Sequence, residues 1–251
     1  MSSEPKRLYS LRTEFLPHIP KKRHVLPEGV SLPTRVDLRS KAPPVFDQGN
    51  LGSCTANSLM GTYQYRDLSF SGSRLFLYYA ERVLDGDVDQ DAGSTISQGI
   101  QVLQSQGCCS ESLWPYDVSK FEIEPPSTCY TDATSHKVIE ATHVDPTTLK
   151  ECLFNGNPVN VGIQVYQSFE SGTVTTSGMV PMPAAGEPCI GGHAVCVYGF
   201  DDSLSVWIMR NSWGSKWGDC GYFYLPYDYL EGNLASDFWN IESVTVSATS
   251  S

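Results

Sequence analysis

No stretch of this 251-residue chain approaches the run of about twenty apolar residues that crosses a bilayer, so no membrane association is expected. The first 30 residues also lack the apolar central segment of a secretory signal. The expected setting is therefore cytoplasmic or virion-associated before secreted, with a lysosome-like compartment left open. Cys-x-x-Cys units are absent among the eight cysteines, and Cys189, Cys196 and Cys220 are too widely spaced for a zinc knuckle. Neither a metal nor a cofactor is expected. Basic residues are scarce, 17 Lys and Arg against 28 Asp and Glu, for a net charge of −11. An acidic body excludes the electrostatic footprint of a nucleic-acid binder.

The scarcity is uneven. Residues 1–41 carry a net +5 and residues 42–251 a net −16. Residues 1–34 are proline-interrupted and show no sustained period, so they read as an extended segment rather than a domain. The bland reading of Lys21-Lys22-Arg23 is a solvated tail. The sharper reading is a short basic pro-segment that docks on its own acidic body and inhibits it, because opposite net charges attract.

What is abundant is chemistry at glycine-rich turns. Gln48-Gly49-Asn50-Leu51-Gly52-Ser53-Cys54 is a glycine-rich approach to a cysteine. Ala56, Leu59, Met60 and Tyr63 follow at spacings that share one helical face. Cys54 then falls in the first helical turn, where unpaired N–H groups and the helix dipole favour a thiolate. A lone cysteine is usually inert packing, and a lone histidine usually structural. Here Gly191-Gly192-His193-Ala194-Val195 lies 139 residues beyond Cys54, and Asn211-Ser212-Trp213-Gly214 begins 18 residues beyond His193. Cysteine, then histidine, then asparagine in this order and at this distance is a nucleophile–base–orienter set.

In these blocks the chain resembles the papain-like cysteine peptidases, over about residues 35–245, and most of all the bacterial and large-DNA-virus members. The resemblance implies an α+β, two-lobe fold. Residues 1–34 would be an extension and 35–251 the peptidase domain, with a helical lobe mainly at 48–130, a β lobe mainly at 131–245, and the cleft between them. It further implies Cys54 as nucleophile, His193 as its proton partner in a thiolate–imidazolium pair, and Asn211 as the residue orienting the ring. Gln48 and the Cys54 N–H would form the oxyanion hole. Trp213 would shield the His–Asn bond, Gly93 would hold substrate backbone, and Asp237 would sit at the floor of the main specificity pocket. Val36-Asp37-Leu38-Arg39 resembles the start of the family's mature domain. About 34 residues precede it, fewer than the helical pro-domain of the cathepsin L group.

The chain departs from the family at two positions beside the nucleophile. Leu51 replaces a half-cystine of the usual disulfide, and Thr55 replaces an aromatic wall. With Cys54 free, the other seven cysteines cannot all pair internally. That odd count leans toward a reducing compartment, with three bridges and a spare thiol as the alternative.

Helices are expected at 75–84 and 95–106, and a capped short helix from Asp145-Pro146 to Asn155. Strands are expected at 159–165, 194–200, 205–209, 222–225 and 239–246. Asp85, Asp87, Asp89 and Asp91 read as a solvated acidic loop. The functional expectation is a monomeric cysteine endopeptidase acting on polypeptides through an acyl-enzyme. The alternatives are another acyl transfer on the same triad, such as tag removal, or a non-catalytic peptide-binding module.

Overall fold

The computed structural model describes residues 7–12 and 19–246. Parts of the extension, 1–6 and 13–18, and the last five residues lie outside the described residues. The organising element is α1, Cys54–Arg66, buried on every side from Cys54 to Tyr63. It is therefore a central helix rather than a one-faced one, which the four apolar positions alone could not distinguish. Ala56, Leu59, Met60 and Tyr63 are all but completely buried. Sequestering a side chain such as Leu59 contributes about 2 kcal/mol.

Two further helices pack against α1. The first, α2 (Arg74–Asp85), starts where Ser73 Oγ accepts from the Phe76 N–H and stops at Gly86, whose φ of 73° is the left-handed cap. The second, α3 (Ile96–Ser105), opens on a reciprocal capping box between Thr95 and Gln98. Shorter helices follow at α4 (Ser127–Ala133), α5 (Leu149–Phe154), α6 (Gly172–Ser177) and α7 (Tyr227–Glu231). The turn before α5 is capped by Asp145, with proline next in the chain, as the sequence indicates.

Among the described residues eight strands form one sheet. They are β1 (Lys21–Lys22), β2 (Arg35–Asp37), β3 (Val138–Val144), β4 (Val159–Tyr166), β5 (Cys189–Asp201), β6 (Val206–Arg210), β7 (Tyr222–Pro226) and β8 (Ala235–Val244). Their order is β1-β3-β8-β4-β5-β6-β7, with β2 on the far end of β5. The pairs are antiparallel except β1 with β3, where Lys21 faces His143 and Lys22 faces Val144. One hydrophobic cluster joins α1–α3 to residues of β3 and β8, and a second fills the sheet lobe around β4–β7.

Several elements differ from expectation for local reasons. Strand β3 has register shifts around Glu140 and no clean alternation of buried and exposed residues, so period-two reading misses it. Helix α4 starts after Pro126 inside a proline-rich stretch. Strand β6 begins one residue late because Ser205 has a φ of 54° and belongs to the turn. Strand β8 begins earlier than expected, at Ala235. The eight cysteines are all thiols.

Candidate active site

Cys54 is the first residue of α1, so the helix N-terminus points its unpaired amides at the sulfur's surroundings. His193 lies on β5 opposite Ile163 of β4, just after Gly191 and Gly192. Asn211 follows the last residue of β6 and is fixed by its own N–H donating to the Gly221 carbonyl (3.0 Å). His193 Nε2 donates to Asn211 Oδ1 (2.8 Å). That bond fixes the tautomer and leaves Nδ1 as the free acceptor. Nδ1 is buried and has no hydrogen-bond partner among the described residues. Trp213 lies against the imidazole, ring centroids 5.0 Å apart and planes 22° apart.

Gln48 is held from three directions. Its N–H donates to the Ser212 carbonyl (2.9 Å), its Oε1 accepts from Ser212 Oγ, and its carbonyl accepts from the Tyr116 hydroxyl (3.0 Å). The amide nitrogen donates one hydrogen to the Leu51 carbonyl (2.9 Å). The amide carries a second hydrogen beyond this bond. Thr55 does not leave a gap where the resemblance led us to expect an aromatic. Its hydroxyl donates to Glu81 Oε2 (2.7 Å), and Glu81 is fully buried on α2. Burial pushes the Glu81 carboxyl up to about 8. Room for that carboxyl comes from Gly99, where an added Cβ would come within 2.5 Å of Glu81 Oε1.

The cleft is covered by the chain's own residues 7–12, which the charge asymmetry foreshadowed only as a loose attraction. Ser10 forms a parallel bridge to Gly192, and the Leu11 N–H donates to the Gly192 carbonyl (3.0 Å). Ser10 Oγ donates to the Gly52 carbonyl (3.0 Å), and the Arg12 N–H donates to the Ser94 carbonyl (2.9 Å). The Tyr9 ring stands edge-on to both His193 and Trp213, while its hydroxyl donates to Glu170 (2.9 Å). The Arg7 guanidinium sits 5.0 Å over the Trp213 ring. Gly93, with φ of 73°, closely abuts Ser10: an added Cβ would fall 1.7 Å from the Ser10 carbonyl oxygen. Leu11 lies against Gly162 beside Ser236.

The acidic loop is solvated only in part, with Asp85 and Asp89 exposed and Asp87 and Asp91 half-buried. Arg12 pairs with Asp85 (2.8 Å) and with Asp87, and the Asp91 carboxylate accepts from the Gly52 N–H (3.0 Å). Sequence reading missed these partners because they are set by contacts 39 to 75 residues apart. Asp237 has a φ of 59°; its Oδ1 accepts from Trp239 Nε1 (2.6 Å) and lies 3.9 Å from His143 Nε2.

Under this cover both groups are fully buried. Burial pushes the Cys54 thiol up to about 12 against the pull of the Ala194 backbone amide, with Glu81 adding to the rise. Burial likewise pulls His193 down to about 4, more than the Asn211 bond raises it. In this covered state burial therefore works against charge on either group.

Comparison with known proteins gives the family. The model of the papain family cysteine proteases matches residues 32–238. An uncharacterized peptidase C1-like protein of Acanthamoeba polyphaga mimivirus is 43% identical over 217 residues, 80% of this chain and 70% of the viral protein. Cathepsin S of Rattus norvegicus is 30% identical over 76% of this chain and 60% of its own length. Among solved structures, xylellain, a cysteine protease from Xylella fastidiosa, superimposes with a TM-score of 0.84 at 35% identity, covering 97% of this chain and 98% of that one. A digestive procathepsin L 3 of Tenebrio molitor shares the fold with a TM-score of 0.64 at 21% identity, over 87% of this chain and 72% of its own. With the family model matching residues 32–238, well over half of its length, the chain belongs to the papain family of cysteine proteases.

Proposed function

We propose that this chain is a cysteine endopeptidase made latent by its own residues 7–12. The observation that carries the reading is the seat of Tyr9, Ser10 and Leu11 across His193, Gly93 and Gly192, where a peptide substrate would have to lie. Once the segment leaves, water returns to Cys54 and His193, and the proton moves from Sγ to Nδ1. The thiolate attacks the scissile carbonyl, and the Cys54 N–H and the Gln48 amide take the oxyanion, each such donor worth about 3 kcal/mol of barrier. The imidazolium protonates the leaving amine, and water then hydrolyses the thioester. Asn211 keeps Nδ1 facing sulfur throughout. Polypeptides are the substrates, and the active form is a monomer.

The test compares labelling of Cys54 by an irreversible peptidyl epoxide in the full chain and in a chain beginning at Leu32. Fast labelling of the shorter chain and slow labelling of the longer one is the expected result. Labelling of neither would move the reading to a peptide-binding module.

The seat of Leu11 against Gly162 takes apolar side chains, and for it also to take basic ones the Asp237 carboxylate has to leave Trp239 and His143. Asp237→Ala should reduce turnover of substrates with Arg two residues before the cut by about tenfold, one such ionic hydrogen bond. Equal loss on Leu and Arg substrates would overturn this role.

Acid should loosen the segment. Transfer of the proton from Cys54 to His193 involves no net uptake, so it adds no pH dependence in the neutral range. The carboxylates that hold the extension do. Burial raises the Glu242 carboxyl, but Lys22, bonded to it at 2.6 Å, outweighs this and holds it below the usual range. A depressed carboxyl stabilises the docked state above its free value and loses that contribution as pH falls through the depressed one. Labelling of the full chain should therefore accelerate below about pH 4.5, the ordinary carboxylate range, and Glu242→Gln should flatten part of that rise.

A further inference from the structure

The loop that delivers Cys54 has no covalent tie, since every cysteine is a thiol and Leu51 is packed into the helical core. Yet Gly52, two residues before the nucleophile, is held tightly. Its N–H donates to both oxygens of Asp91, at 3.0 and 3.1 Å. Asp91 Oδ1 also accepts from the hydroxyl of Tyr78 (2.5 Å), a fully buried side chain on α2. The same hydroxyl accepts from the Gly93 N–H (3.1 Å). A single chain of hydrogen bonds thus runs from the approach to the nucleophile, through Asp91 and Tyr78, to the glycine wall against which Ser10 lies.

A second buried side chain one helical turn along α2 completes the hold. Arg82 stacks on the Tyr78 ring at 4.3 Å and donates to the carbonyls of Val88 (2.6 Å) and Gln90 (3.0 Å). The loop between α2 and α3 is therefore fastened to α2 at 88, 90 and 93 and to the Cys54 loop at 91. Burial and the bond to Asp91 raise the Tyr78 hydroxyl well above its ordinary range, so it remains a donor to Asp91 and an acceptor for Gly93.

We infer that Tyr78 and Asp91 are positioning residues that set the distance between the nucleophile loop and the substrate-binding glycine strand, a task a disulfide could otherwise perform. Neither residue touches the reacting atoms. Tyr78 acts on Gly93 and Asp91 acts on Gly52. The role is geometric, so it depends on acceptor position rather than on the carboxylate charge. Small displacements of a binding wall cost rate without altering the nucleophile itself.

This inference rests on the peptidase reading, and the experiment separates the two. The full chain, carrying Tyr9→Gly and Arg12→Ala to clear the cleft, is labelled at Cys54 by iodoacetamide, which reads the thiol alone, and by the peptidyl epoxide, which also reads Gly93. Tyr78→Phe in that background should slow the epoxide reaction by tenfold or more, on the order expected for a displaced binding group, with iodoacetamide labelling and melting temperature little changed. Asp91→Ala should do the same, and Asp91→Asn, which keeps an acceptor at Oδ1, should restore most of the rate. Equal slowing with both reagents, no slowing with either, or failure of Asn to outperform Ala would overturn the positioning role. If the cleared parent chain reacts with iodoacetamide and not with the epoxide, the peptidase reading falls, and the inference with it.

Discussion

Cys54→Ala is expected to abolish peptide hydrolysis, by about a millionfold in turnover if the group behaves as one unit with His193, as coupled nucleophile–base pairs do. The residual rate would come from the oxyanion donors and binding alone. The fold should survive. Cys54 heads a helix whose stability lies in the packing of Leu59, Met60 and Tyr63, and loss of one buried thiol in favour of a methyl is a small change in volume. Hydrolysis of a fluorogenic peptide alongside thermal melting checks both halves. A variant that melts normally and retains turnover would remove Cys54 from the chemistry.

The second large effect concerns residues 7–12. Arg12 is the electrostatic anchor of the segment: its guanidinium reaches Asp85 and Asp87 on the helical side and its Nε donates to the Ala92 carbonyl (3.0 Å). Tyr9 is the steric cover over His193. Arg12→Ala removes a set of charge-assisted bonds of which each is worth about 1.5–3 kcal/mol, discounted because Arg12 is partly exposed. About tenfold to a hundredfold faster epoxide labelling of the full chain is expected if two such bonds, so discounted, set the opening equilibrium. Raising the salt concentration should produce a smaller shift in the same direction, because exposed pairs are screened while Tyr9 and Leu11 are not. Combining Arg12→Ala with Tyr9→Gly should approach the rate of the chain beginning at Leu32. Unchanged labelling in the double variant would show that the segment is an appendage.

The parts of the candidate site that could be proposed from the sequence are those whose meaning is local. Gln48 and Cys54 lie six residues apart in one stretch, and His193 and Asn211 lie in two short glycine-containing motifs, so residue type and spacing are enough to propose them. Gly93 could be proposed from the resemblance, and its left-handed φ beside Ser10 now gives a physical reason for glycine there. Thr55 could be seen as a departure but not understood, because its partner Glu81 lies on another helix and a buried glutamate looks like any surface glutamate in a string of letters. The same holds for Asp91, which resembles its solvated neighbours until Gly52 and Tyr78 are brought to it. Net charge indicated that the extension is drawn to the body. It could not supply register, which depends on the shape of Tyr9, the smallness of Ser10 and the glycines at 93 and 192.

The extension also has a consequence for the sheet. The two residues of β1 lie outermost and pair with β3 at His143 and Val144. Removal of the extension would bare the His143–Val144 end of β3, lengthening an outer edge that already includes Ile139, 61% exposed. Such margins recruit strands from other molecules. A chain shortened before Leu32 would thus gain, along that edge, a tendency to stick to copies of itself, so that Lys21 and Lys22 serve as a solubilising hem for as long as they stay attached.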